Sequence, residues 1–230
     1  MLPNVFVVNV NTAIDSVLFP VMSNAQDNVE SVRAMTRRSI QVSSYIMWPI
    51  MLGLAAVSRP LVTILLTDKW LPCVPYVIIF CISYAFLPME TANLNAIKAL
   101  GRSDIFLRLT TIKKIIGFII LAATLWFGPL IMAASNLFFS VVNQIINAWP
   151  NRKLLHYSYS QQIADILPSM MLSVVMFGTV WCVQYLHLNS VLTLIIQLVV
   201  GIAIYAFGSM IFRIESFNYM LSILKGYIKK

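Results

Sequence analysis

The sequence predicts an all-α integral membrane protein with about seven transmembrane helices. Three observations predict it. First, 60% of the 230 residues are hydrophobic and only 10% are charged, against roughly 25% charged in soluble domains. A soluble fold this apolar could not cover itself with polar surface, so lipid must be the solvent. Second, apolar runs long enough for a bilayer core, about 20 residues each, recur from end to end. Third, the basic residues collect in every second loop.

Seven segments can be marked, with short connections between them. The first runs from about Val5 to Met22 and ends near Pro20. The second runs from about Ile40 to Leu66 and holds Pro49 and Pro60. The third covers about Pro72 to Leu100, with Pro75 and Pro88. The fourth covers about Ile112 to Phe127. Gly128-Pro129 then makes a tight turn into the fifth, Leu130 to Trp149, which Pro150 is expected to end. The sixth spans Ile166 to Leu186 and the seventh Val191 to Phe212. Internal prolines are tolerated in such helices because neighbouring groups re-satisfy the freed carbonyls.

The loops give orientation. Arg33, Arg37 and Arg38 follow the first segment. Lys98, Arg102, Arg108, Lys113 and Lys114 follow the third, Arg152 and Lys153 the fifth, and Arg213, Lys225, Lys229 and Lys230 the seventh. These are 14 of the 16 basic residues; the alternate loops hold only Arg59 and Lys69. Basic loops stay cytoplasmic, which places the C-terminus inside and the N-terminus outside. The net charge of +8 is therefore a topology signal and does not call for nucleic acid as a partner.

Smaller features fit this frame. Trp48, Trp70, Trp126, Trp149 and Trp181 mostly fall near segment ends, as an interfacial aromatic belt requires. Asp27 and Glu30 have the spacing of a capping-box variant, and Gly101 can supply a left-handed cap after the third helix. In the tail from 213 to 230, Phe217, Met220, Leu221, Leu224 and Ile228 share one helical face and Lys225 and Lys229 another. That pattern suits a basic helix in the cytoplasmic headgroups. Cys73, Cys81 and Cys182 form no CxxC pair and read as small apolar residues. His156 and His187 have no ligands at metal spacing. No glycine loop would cradle a phosphate. No enzyme, metal or cofactor is expected.

Candidate site residues come from polar groups inside apolar runs. The first segment carries Asn4, Asn11 and Asp15 on one face, and an intramembrane acid costs roughly 2.5–3.5 kcal/mol on the insertion scale. Such a helix needs protein or a water-filled cavity beside it. We therefore expect an internal helix of a longer transporter whose upstream half lies outside this chain. In the third segment Glu90 is flanked by Asn93 and Asn95, and Pro88 should loosen the helix beside it. Asn11, Asp15, Glu90 and Asn93 are the expected lining of a substrate or ion cavity. Asp15 and Glu90 fall at similar depth, about 10–12 Å from the cytoplasmic interface.

Several stretches resemble one family. They are Leu18-Phe19-Pro20-Val21-Met22-Ser23 before an Arg-rich helix, then Trp48-Pro49-Ile50-Met51-Leu52-Gly53-Leu54-Ala55. Arg59-Pro60-Leu61-Val62, Thr67-Asp68-Lys69-Trp70 and Ala96-Ile97-Lys98-Ala99-Leu100-Gly101-Arg102-Ser103-Asp104 follow. Their order and spacing resemble the C-terminal half of the Wzx-type polysaccharide flippases, the lipopolysaccharide biosynthesis proteins of the multidrug/oligosaccharidyl-lipid/polysaccharide exporter superfamily. The resemblance covers roughly the first 110 residues; beyond that only the hydropathy pattern matches.

The resemblance implies a two-lobed transporter of 12–14 helices. Residues 1–150 would form a C-terminal-lobe bundle of about five helices, 151–212 two additional helices, and 213–230 the cytoplasmic tail. It implies translocation of an undecaprenyl-diphosphate-linked oligosaccharide across the bacterial cytoplasmic membrane for O-antigen, capsule or exopolysaccharide assembly. Expected partners are that lipid-linked oligosaccharide, membrane lipids, a missing N-terminal lobe and other polysaccharide-assembly membrane proteins. Arg102, Arg108, Lys113 and Lys114 would attract the diphosphate at the cytoplasmic mouth. The rival readings are a multidrug or small-solute exporter of the same superfamily and a membrane-embedded enzyme such as a polymerase.

Overall fold

The computed structural model describes Thr12, Ser16, residues 18–186 and residues 188–219. Among these residues the elements are helical: α1 (Val29–Ala56), α2 (Ser58–Leu66), α3 (Val74–Ala85), α4 (Leu87–Ala99), α5 (Ser103–Thr124), α6 (Pro129–Leu154), α7 (Tyr159–Cys182) and α8 (Ser190–Ile211). Short 3₁₀ helices lie at Asp68–Cys73, Leu125–Phe127 and Val183–Leu186. Five of the helical stretches are long and apolar enough to cross a membrane, with the third predicted segment running as one stretch over Asp68–Ala99. The fourth predicted segment is α5, a 22-residue helix that is not among those five. The first predicted segment lies largely outside the described residues. The chain is a multi-pass membrane protein.

α1 is the central element. It packs along α7 and also against α3 and α4. Its buried face reads Val32, Thr36, Ile40, Met47, Met51 and Ala55, the three-to-four spacing of a helix with one face to the core. Large apolar side chains such as Phe118, Ile119, Ile202 and Phe207 stay exposed on the outside of the bundle, as lipid contact requires. α7 and α8 approach closely because Gly201 and Gly208 lie one above the other on α8. A Cβ at Gly208 would come within 2.3 Å of Leu172 Cδ1, and small residues of this kind set helix–helix distance in membranes.

The boundaries differ from expectation where prolines and caps decide them. The second segment is not one helix: it is interrupted at Val57, between α1 and α2. Pro60 is the cause, since its ring excludes a helical bond to the carbonyl four residues before, that of Ala56. Gln184 donates to that carbonyl instead, at 3.1 Å. Pro49 is accommodated inside α1 the same way: the Tyr45 carbonyl it leaves open accepts the Tyr205 hydroxyl at 2.7 Å. Pro150 does not end the fifth segment, because α6 continues to Leu154. Helical residues likewise continue past Pro20, to residue 24. α1 begins not on the Asp27/Glu30 spacing but at Asn28, whose side chain accepts from Ser31 N–H at 3.0 Å. Gly101 does cap α4, with φ of 69°. Arg102 N–H bonds to the Ile97 carbonyl and Gly101 N–H to that of Lys98, the paired bonds of a Schellman motif. Gly128, with φ of 92°, makes the turn into Pro129 at the start of α6. Trp48 is not interfacial: it is buried in mid-helix against Phe86, rings 5.1 Å apart. Trp126 and Trp149 are exposed at helix ends.

These substitute bonds make a prediction. Tyr205→Phe should lower stability by about 1–2 kcal/mol, because it strands the Tyr45 carbonyl inside the bundle. In a Pro49→Ala background the same change should cost less, since the backbone N–H that alanine restores can take over that carbonyl. Detergent-unfolding curves of the four variants read this directly, and equal losses in both backgrounds would contradict the assignment.

Candidate polar interior

Two polar clusters occupy the bundle around α4. The first joins Glu90 to Lys113: the ammonium donates to Glu90 Oε1 at 2.8 Å. Both side chains are shielded, 13% exposed for lysine and 19% for glutamate. The sequence places Glu90 in the cavity and Lys113 at the mouth; the structure brings them together. Lys113 reaches Glu90 because α5 begins at Ser103, so Arg108, Lys113 and Lys114 lie on the helix itself rather than in the loop before it. Asp104 in its first turn favours that early start.

The second cluster is built from amides. Asn93, Asn151 and Gln162 are almost wholly buried. Asn93 Nδ2 donates to the Met89 carbonyl at 3.0 Å and to Gln162 Oε1 at 2.8 Å. Asn93 Oδ1 accepts from Asn151 at 2.6 Å and from Gln162 at 3.0 Å. This ties α4, α6 and α7 together. One and two turns back along α6, Asn147 and Asn143 continue the stripe, and Gln144 donates to the Phe86 carbonyl at 3.1 Å. That carbonyl lies at the break between α3 and α4, where Pro88 sits in the first turn of α4. Sequence reasoning missed Asn143, Gln144, Asn147 and Asn151. The signal was present, four amides on one helical face of an apolar run.

A third cluster closes the end where the Arg-rich turns of α1 meet the start of α7. Asp165 accepts from Arg37 at 2.9 and 2.6 Å, from Gln41 at 3.2 Å and from the Tyr157 hydroxyl at 2.7 Å. Burial, and then the carboxylate it donates to, raise the Tyr157 hydroxyl above its ordinary range. Ser158 begins α7 with a full capping box: its hydroxyl accepts from Gln161 N–H, and the Gln161 side chain accepts from Ser158 N–H.

The remaining expected residues are not drawn together. Arg102 is exposed and pairs with its neighbour Asp104, at 3.0 Å. Arg108 and Lys114 are exposed on α5. Asn11, Asp15 and His187 lie outside the described residues, as does the tail from 220. Ahead of it, Tyr219 lies under the Arg38 guanidinium at 3.5 Å. Among the described residues no group of three or more His, Cys, Asp or Glu is placed to hold a metal. An apolar groove of about 540 Å³ runs between α1, α7 and α8, past Tyr45, Pro49, Gly53, Met176, Gly201 and Tyr205.

Comparison with known proteins agrees with this architecture. Residues 1–75 match the family described as polysaccharide biosynthesis protein. A membrane protein of the cps region of Klebsiella pneumoniae is 26% identical over 96% of this chain and 45% of its own length. The teichuronic acid biosynthesis protein TuaB of Bacillus subtilis is 22% identical, over 87% of this chain and 43% of its own. The lipopolysaccharide biosynthesis protein WzxC of Escherichia coli is 26% identical, over 84% and 36%. Among solved structures, the inward closed lipid II flippase MurJ superposes with a TM-score of 0.70 at 17% identity, covering 91% of this chain and 45% of that one. The chain thus spans about half the length of the curated relatives it matches or less. It is similar in sequence to these polysaccharide biosynthesis membrane proteins and shares the fold of one part of the solved flippase.

Proposed function

We propose that this chain forms part of a flippase that moves a lipid-linked oligosaccharide across the cytoplasmic membrane during polysaccharide assembly. The observation that carries the reading is a polar interior, Glu90–Lys113 and the amides of α4, α6 and α7, inside a bundle with an apolar outer surface. A sugar head cannot cross hydrocarbon bare, because its hydroxyls would lose their water without replacement. A polar path between helix bundles, opened alternately to each side, removes that penalty. The groove beside α8 offers hydrocarbon surface for a prenyl tail. Arg108 and Lys114, exposed on α5, are the cations left to meet a diphosphate, since Lys113 and Arg102 have partners of their own. The reading needs no covalent chemistry. The N-terminal lobe and other assembly proteins would complete the path.

In this reading the C-terminus is cytoplasmic, because the Arg37–Asp165 cluster, the cap of α4 and the start of α7 all belong to the basic side. Reporter fusions after Arg38, Arg102, Arg152 and Lys230 should all report cytoplasm; a periplasmic signal at any one breaks the topology. For transport, the full-length protein should restore surface polysaccharide in a strain lacking its flippase. Asp15→Asn and Glu90→Gln should accumulate normally yet lower export or change its response to a collapsed proton or sodium gradient. A correctly inserted full-length protein that exports nothing would overturn the reading.

A further inference from the structure

α4 and α6 are held by two contacts with the same sequence offset. Gln144 bonds the Phe86 carbonyl and Asn151 bonds Asn93, each 58 residues apart. A constant offset over two turns means that the helices run parallel and in a fixed register. Asn147 falls between these contacts. By the same offset it lies level with Met89, which is fully buried and offers no hydrogen bond from its side chain. Asn147 is itself fully buried, and neither its Nδ2 nor its Oδ1 has a partner; Gln144 Oε1 is also left open. A buried amide with both ends open costs free energy, so this arrangement calls for a second use.

We propose that α4 and α6 have two registers, the one seen here with Asn93 on Asn151 and a second, one helical turn away, with Asn93 on Asn147. A shift of four residues is about 6 Å along the helix, and one-turn ratchets of packed helices are a known way to switch between discrete states. α6 carries asparagine at 143, 147 and 151, the same side chain at each turn. Asn93 gives up its two bonds to Gln162 on α7 in the shifted register, while two contacts along α6 find matches. Phe86 comes level with Ser140, whose hydroxyl can serve its carbonyl. Glu90 comes level with Gln144, whose Nε2, released from Phe86, can donate to the carboxylate. α4 continues α3 through Phe86, whose backbone is helical, and is separated from α5 by the Gly101 turn, so the stretch Asp68–Ala99 shifts as a unit. Met89 would part from Asn147 and come level with Asn143, whose Oδ1 is open in the present register.

The test reads helix position and so stands apart from transport. In native membranes, and in a background where Cys73, Cys81 and Cys182 are replaced by alanine, two cysteine pairs report the two registers. Ala96→Cys with Leu154→Cys reports the present one, and Phe86→Cys with Ser140→Cys the shifted one. Both pairs should form disulfides on mild oxidation. Asn147→Leu should reduce the shifted crosslink by about tenfold, the scale of losing one buried hydrogen-bonding partner, and leave the present one intact. Asn151→Leu should raise the shifted crosslink. If the 96/154 pair forms and the 86/140 pair does not, Asn147 is satisfied by fixed water and the proposal is wrong. A shifted crosslink indifferent to Asn147→Leu also overturns it. Should that variant fail to accumulate, the Asn151→Leu arm decides alone, and an unchanged shifted crosslink overturns the proposal.

Discussion

Lys113→Met should destabilise the protein by about 3–5 kcal/mol, the usual cost of leaving one member of a shielded ion pair without its partner. The carboxylate of Glu90 is only 19% exposed and bonds the Lys113 ammonium at 2.8 Å, so its charge would be stranded in the bundle wall. Glu90→Gln should cost less, because a long lysine side chain can snorkel toward water where glutamate cannot. The double variant should lie close to the parent, since it removes both charges together. A double-mutant cycle from detergent-unfolding curves gives the coupling. A loss below about 1 kcal/mol for Lys113→Met would mean that the pair behaves as a solvated surface bridge. That result would also remove the strongest support for a polar path beside α5.

Asn93→Leu should be about as severe. Leucine has a similar size, so the loss is chemical rather than a cavity. It would leave Asn151 Nδ2 with only the Asn93 backbone carbonyl, at 3.2 Å, and Gln162 Oε1 without its donor. Each buried group so abandoned costs about 1–3 kcal/mol. The expected readout is a sharp fall in protein accumulating in the membrane. Restoration should follow when Asn151 and Gln162 are also made leucine, because a network removed whole is less harmful than one removed in part. Normal accumulation of the single variant would show that Asn93 is dispensable to the packing of α4, α6 and α7.

Most of the helices were legible because apolar runs and glycine or proline turns are local signals. Gly101 and Gly128 took up the backbone conformations that only their local sequence requires. The breaks were legible in kind but not in place: Pro60 announces a freed carbonyl, but nothing nearby announces that Gln184 satisfies it. Glu90 stood out as an acid in an apolar run. Its partner did not, because Lys113 sits among Arg108 and Lys114 and reads with them as a basic loop until the start of α5 is known. Asp165 falls at the edge of its segment, where a charge is unremarked, so its junction with Arg37 depends on α1 and α7 meeting. The amide stripe of α6 is periodic and readable, but asparagine carries no charge to flag it.

The carbonyls of Tyr45 and Ala56 bear on the order in which the protein is made. Their hydrogen-bond donors, Tyr205 and Gln184, come 160 and 128 residues later in the chain. At about 5–20 residues per second, the ribosome delivers Tyr205 roughly 8–30 s after Tyr45. For most of that interval the central helix sits in the bilayer with backbone groups open; Gln184 closes Ala56 first and α8 closes Tyr45 last. A nascent chain halted before α8 therefore still carries one open carbonyl, that of Tyr45, in a helix otherwise complete.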